Sequence, residues 1–227
     1  MLVNFDKLPE FMQNKKVKKY YDILRKKKIN LILKRLFDIF ASLILLMVLS
    51  PVFLILAILI KIDSKGPVFY KQKRITKYGK EFSIYKFRTM IVDADKKGTL
   101  VTLKNDSRIT RVGNKIRKCR LDELPQLINV FIGEMSFVGT RPEVKKYVDA
   151  YTDEMIATLL MPAGITSLAS IEYKDEDKII EKYTEKGEKV DDIYIKRILP
   201  DKMKYNLDYI EKFNIIEDIK TCIKTVI

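Results

Sequence analysis

The sequence predicts a mixed α/β fold, mainly helical, with a small β-hairpin and an N-terminal re-entrant membrane helix. Three observations predict it. An uncharged run from Ile39 to Ile60 is divided by Ser50-Pro51. Aromatic and β-branched residues flank a glycine turn at Gly79. Apolar residues at helical spacing recur from Leu121 to the end of the chain. The organisation that follows is a basic amphipathic arm over residues 1–33, a membrane-inserted helix–break–helix over 34–64, and a cytosolic domain over 65–227.

Composition narrows the chemistry. Lys and Arg total 44 against 30 acids, a formal charge of +14, which suits an anionic partner such as a membrane surface, a nucleotide or a nucleic acid. The chain has no histidine. That excludes Ser-His-Asp and Cys-His catalysis and any His-ligated metal. Its two cysteines, Cys119 and Cys222, form no Cys-x-x-Cys pair, so a disulfide framework or zinc site is not expected and a reducing compartment fits. Carboxylates, lysines, arginines and hydroxyls are left to carry any reaction.

The arm mixes Lys15, Lys16, Lys18, Lys19 and Arg25 with Val17, Tyr20, Tyr21 and Leu24. It reads as a short basic helix lying on anionic lipid, or as a charged arm without fixed structure. As one straight helix, the run from Ile39 to Ile60 would reach roughly 33 Å, about a bilayer core. Pro51 removes a backbone hydrogen bond near its middle, and the Ser50 hydroxyl is placed to satisfy a carbonyl that the break frees. Lys34 and Arg35 precede the run, and Lys61, Lys65 and Lys71 follow it. Basic residues on both flanks oppose a simple span, which wants one basic side. A helix that enters one leaflet and returns keeps both flanks on the cytosolic face.

Phe69-Tyr70 and Phe82 to Phe87 bracket Gly79 as a hairpin. Lys86, Arg88 and Thr89 close its second strand, where cations and a hydroxyl suit a phosphate, or guard a solvated edge. Residues 92–105 read as a polar loop or short helix, with Asp93 and Asp95 as surface acids, and Gly113 reads as a turn. Arg117 and Arg120 then lead into Leu121-Asp122-Glu123-Leu124-Pro125. Asp122 reads as the N-cap of a helix with Pro125 in its first turn. Free N–H groups, the helix dipole and two arginines would keep its carboxylate ionised. Adjacent helical residues diverge by about 100°, so Asp122 and Glu123 would face different partners. An ordinary capped helix start is the alternative. Beyond it, Val144 to Met161 carries a helical stripe, and Pro162 to Ile165 reads as a turn. Glu172 to Asp192 reads as a mobile or helical charged surface. Helices are expected after Pro200 and after Asn214, the last with an apolar row of Ile215, Ile216, Ile219 and Ile223.

Taken in order, these motifs resemble the bacterial sugar transferases, the small monotopic phosphoglycosyl transferases. The resemblance rests on Lys34-Arg35-Leu36-Phe37-Asp38, Ser50-Pro51, Gly66-Pro67-Val68-Phe69, Lys86-Phe87-Arg88-Thr89-Met90 and Asn105-Asp106-Ser107-Arg108. It continues through Leu121-Asp122-Glu123-Leu124-Pro125-Gln126, Gly139-Thr140-Arg141-Pro142 and Pro162-Ala163-Gly164-Ile165-Thr166. It runs from about Lys34 to the end. The resemblance implies transfer of a sugar 1-phosphate from a UDP-sugar to polyprenyl (undecaprenyl) phosphate with release of UMP, by a ping-pong path through a covalent aspartyl phosphosugar. It implies Asp122 as nucleophile, Glu123 as the holder of Mg²⁺, and Lys86, Arg88, Arg117 and Arg141 as phosphate-binding cations. It also implies a place on the cytoplasmic face of the bacterial inner membrane, among membrane lipid, at the start of a lipid-linked glycan; a homodimer is compatible with it. Thr140 stands where the family commonly has proline, and Arg120 where serine or threonine is common. A basic non-enzymatic membrane adaptor is the rival reading. A nucleic-acid binder is disfavoured by the uncharged run and by the lack of a recognisable nucleic-acid motif.

Overall fold

The computed structural model describes residues 2–94, 106–173 and 176–226. The loop expected over 92–105, with Asp95, therefore lies mostly outside the described residues, as do positions 174 and 175 of the charged stretch.

The arm is helical. Helix α1, Lys15–Lys26, is capped by Asn14, whose side-chain oxygen accepts from the Val17 amide at 2.8 Å. Its apolar stripe of Val17, Tyr20, Tyr21 and Leu24 is buried with Leu160, Ile210 and Phe213 of the domain. That corrects the expectation that this face meets lipid: four large side chains at helical spacing find a protein core first, and the lysines stay outside.

Helix α2, Lys28–Val48, and helix α3, Ser50–Asp63, meet at Leu49 with a bend of 60°. Pro51 sits in the first turn of α3, and Ser50 Oγ donates to the Met47 carbonyl at 2.8 Å, as a freed carbonyl requires. No single helix among the described residues is long and apolar enough to cross a membrane, whereas this bent pair passes by length and composition. Phe40, Ile44, Met47, Val48, Leu54, Ile55 and Ile58 are exposed along it.

Both ends of the pair are fastened to the domain. At the start of α2, buried Lys34 donates to the Val138 carbonyl at 2.7 Å and to Asp218 Oδ2 at 2.5 Å. Arg35 donates to the carbonyls of Val130 and Phe131, and Asp38 accepts from Ser136 Oγ and the Phe137 amide. At the far end of α3, Leu56 and Ile60 pack with Phe87, Ile116, Leu121 and Leu124.

The hairpin forms as expected. Strand β1, Phe69–Ile75, pairs antiparallel with β2, Glu81–Phe87, from Phe69↔Phe87 to Ile75↔Glu81. Tyr78 and Gly79 take positive φ in the turn. Helix α4, Arg111–Lys118, begins at Thr110 and contains Gly113. Gly113 is therefore not a turn: a Cβ there would run into the Thr89 carbonyl, so the glycine serves close approach within a helix.

Helix α5, Gln126–Ile132, leads into β3, Met135–Val138. β3 pairs in parallel with β4, Ala163–Thr166, which replaces the turn expected at Pro162 to Ile165. The stripe from Val144 to Met161 is not one helix. It splits into α6, Lys145–Val148, and a 3-10 segment, Met155–Leu160, where Thr152 Oγ1 receives the Met155 amide and restarts the chain. Short α7, Leu168–Glu172, precedes α8, Glu176–Thr184, so the charged stretch is helical in part, with a turn over 185–189 at Gly187. Helix α9, Val190–Ile193, continues through a π turn into α10, Leu199–Lys212. Helix α11, Ile215–Val226, then buries Asp218 and Thr221 and exposes Ile216, Ile219 and Ile223.

Candidate functional site

Asp122 lies in a 3-10 turn, Leu121–Glu123, entered through Arg120 in the left-handed region at φ 56°. A non-glycine residue held there costs on the order of 1 kcal/mol. The turn is held by Leu121 and Leu124, which pack beside Leu56 and Ile60 of α3. Helix α5 starts only at Gln126, with Pro125 as its cap residue and no side-chain cap bond. Asp122 is therefore not an N-cap, and its carboxylate is left for the cleft it lines.

That cleft has a volume of about 410 Å³. Lys86, Arg74, Arg108 and Arg117 supply cations to its wall, and Phe69, Phe87, Ile91 and Val92 an apolar side. Tyr70, Gln72 and Arg74 line it together because residues two apart in β1 share one face. Gln72 Oε1 accepts from Arg74 at 2.7 Å and orients it. Gln72 and Arg74 also belong to the motifs that carry the resemblance, but the sequence reading assigns this row no role at the site.

Glu123 sits beside that opening, paired to a cation of its wall. Its Oε1 meets Lys86 Nζ at 3.0 Å and Arg141 at 3.5 Å. Burial disfavours its ionisation, but Lys86 and Arg141 outweigh burial and hold the carboxyl below its usual range. Asp122 goes the other way. Burial and then the neighbouring Glu123 charge push its carboxyl up, against the pull of Lys86 and Arg117. The expectation that nearby cations would lower it is thus reversed, because desolvation is the larger effect. The two adjacent acids are set apart, as different tasks would require.

The four expected phosphate cations divide. Lys86 and Arg117 line the cleft beside Asp122. Arg141, half exposed, joins through Glu123. Arg88 lines the cleft as well, but its buried guanidinium also donates to the carbonyls of Ser64 (2.7 Å) and Lys65, so it caps the end of α3. The charge at the strand end thus serves both the fold and the cleft wall.

Among the described residues no group of three or more Asp, Glu, Cys or His side chains gathers to hold a metal. A Mg²⁺ needs less from protein when substrate phosphates and water complete its shell. Glu123 fits that demand: both cations meet Oε1, and the carboxyl is held ionised beside Asp122.

A family model described as bacterial sugar transferase matches residues 29–227. The chain is 44% identical over 102 residues (45% of this chain, 50% of the relative) to the uncharacterized sugar transferase EpsL of Bacillus subtilis. It is 44% identical over 86 residues (38% and 20%) to a UDP-N-acetylgalactosamine-undecaprenyl-phosphate N-acetylgalactosaminephosphotransferase of Aeromonas hydrophila. Against a UDP-glucose:undecaprenyl-phosphate glucose-1-phosphate transferase of Escherichia coli it is 34% identical over 161 residues (69% and 31%). The matched stretch thus spans about half of the Bacillus subtilis protein and less of the other two.

Proposed function

The chain belongs to the bacterial sugar transferase family, and we propose that it transfers a sugar 1-phosphate from a UDP-sugar to polyprenyl phosphate. An Asp122 carboxylate oxygen attacks the β-phosphorus. The bond from that phosphorus to the bridging oxygen breaks and UMP leaves, with the sugar phosphate held as an acyl phosphate. A phosphate oxygen of the polyprenyl acceptor then attacks the same phosphorus, breaks its bond to Asp122, and restores the carboxylate. Splitting one transfer into two lets a soluble donor and a membrane-bound acceptor use the site in turn. Lys86 and Arg117 line the same cleft as Asp122 and would neutralise the transferred phosphoryl oxygens. Mg²⁺ held by Glu123 would neutralise charge on the diphosphate. The observation that carries the reading is an uncapped, half-buried Asp122 opening on a cation-walled cleft while Glu123 is ion-paired beside it.

The test is UMP release from a panel of UDP-linked N-acetylhexosamines, glucose and galactose. One donor should give a burst close to one UMP per protein without acceptor, and continuous turnover with polyprenyl phosphate. Chelation of divalent cations should stop both. No UMP from any donor would favour a basic membrane adaptor instead.

The bent pair α2–α3 is proposed as a re-entrant anchor on the cytoplasmic face, in contact with membrane lipid. Supporting this, Lys34 at one end and Ser64 and Lys65 at the other are tied to the same domain. A straight span would part those ends by roughly 30 Å. In a cysteine-free background, single cysteines at positions 29 and 65 should both resist an impermeant reagent in intact cells. Labelling of either one alone would establish a span.

A further inference from the structure

We propose that the apolar lip of the cleft, made by Phe69, Ile91 and Val92, receives the first isoprenoid units of the polyprenyl phosphate acceptor. The proposal rests on the acceptor assigned above. All three side chains line the cleft, yet they remain 38%, 40% and 48% exposed. Large apolar side chains left half open at the mouth of a cationic cleft suggest a ligand with hydrocarbon to cover them. A nucleotide sugar offers at most the face of its base and an acetyl methyl, too little to cover three such side chains.

The lip is continuous with the anchor. Phe53 of α3 lies 5.2 Å from Phe87, ring centre to ring centre, and Phe87 stacks on Phe69 at 5.4 Å. An aromatic path thus runs from the inserted helix to the edge of the site. Val92 closes directly over Gly66, where a Cβ would collide with it, and Arg88 ties the preceding Ser64 and Lys65. The lip is therefore fastened to the point where α3 returns to the domain. The same cleft is lined by Lys86, Arg117 and Asp122. An amphiphile with an anionic phosphate head and a branched hydrocarbon tail matches both kinds of lining: the head lies against the cations, and the tail runs over the lip toward the bilayer.

The test uses the full chain in detergent micelles with Ile91→Ser, Val92→Ser and Phe69→Ser made singly. Each removes part of the lip without touching the charged wall. KM for long-chain polyprenyl phosphate should rise by about tenfold, the order expected for losing a mostly buried aliphatic contact. The acceptor-free UMP burst should keep its rate and amplitude, which also reports an intact fold. With isoprenyl phosphates of one to three units, the wild-type KM should fall with each added unit, and the variants should flatten that trend. An unchanged KM would overturn the proposal, as would a burst that declines in step with turnover. Equal competition by excess phosphatidylglycerol would make the lip a general lipid contact and overturn it too. Absence of any burst in the wild type would instead sink the reaction assigned to the chain.

Discussion

Asp122→Asn is expected to lower turnover by at least about 10⁴-fold, the scale on which loss of a covalent nucleophile is felt. The same variant should form no phosphosugar adduct by intact-mass measurement after incubation with UDP-sugar. Its fold should survive. The Asp122 carboxyl is pushed up mainly by burial, so at neutral pH the ionised form is held at a cost. The sign follows: a raised folded-state pKa stabilises the protein below the unfolded value, and that benefit is lost as pH rises. Asparagine removes the charge that burial penalises, so the melting temperature should stay level or rise. Loss of activity with retained stability separates a chemical role from a structural one. The rate of the UMP burst should also fall on the acid side at a pH above the ordinary carboxylate range, because the nucleophile must be ionised. An adduct that persists in the asparagine variant would remove Asp122 from this role.

The parts of the fold that could be read in the sequence are those set by local pattern. Ser50-Pro51 marks the bend because proline removes a helical hydrogen bond wherever it falls. The hairpin is carried by residues a few positions apart. The parallel pairing of Met135 with Ala163 is not: two strands of four residues meet across a long separation, and nothing local distinguishes Ala163-Gly164-Ile165 from a turn. Gly113 shows the same limit, since a glycine required for close packing and one required for a turn look alike in sequence. At the site, the acids and cations were identifiable by type, but not their division of labour. That Arg88 also meets the carbonyls of Ser64 and Lys65 is decided by where α3 ends. The direction of the Asp122 shift is decided by how deeply its turn is packed on α3. In α11 the pattern points the wrong way for a soluble core: the isoleucines are outside, and the buried face carries Asp218.

That buried acid supports the second large effect. Lys34→Met should destabilise the protein by about 3–5 kcal/mol, the usual cost of removing one partner of a buried pair. Lys34 Nζ holds Asp218 at 2.5 Å, and Tyr209 donates to the other Asp218 oxygen at 2.9 Å. Burial already pushes the Asp218 carboxyl up despite the Lys34 charge. Without that charge the carboxyl should take up a proton in the folded state while remaining ionised in the unfolded one. Stability of Lys34→Met should then fall as pH rises, by up to about 1.4 kcal/mol per unit between the two pKa values. Adding Asp218→Asn removes one of the two buried acids that the Lys34 charge holds down, the other being Asp38. The double variant should be more stable than Lys34→Met at pH 8 and less steep with pH, the remaining slope belonging to Asp38. Thermal melts of the single and double variants in detergent at pH 6 and pH 8 close the cycle. Equal destabilisation at both pH values would mean that the lost contact with the Val138 carbonyl, rather than the stranded carboxylate, is what matters. Because Lys34 and Asp38 grip β3 while Arg35 grips the end of α5, one face of α2 holds both stretches of chain that lead to Arg141 and Glu123. Loosening that face should therefore weaken the site without a change to any residue that lines the cleft.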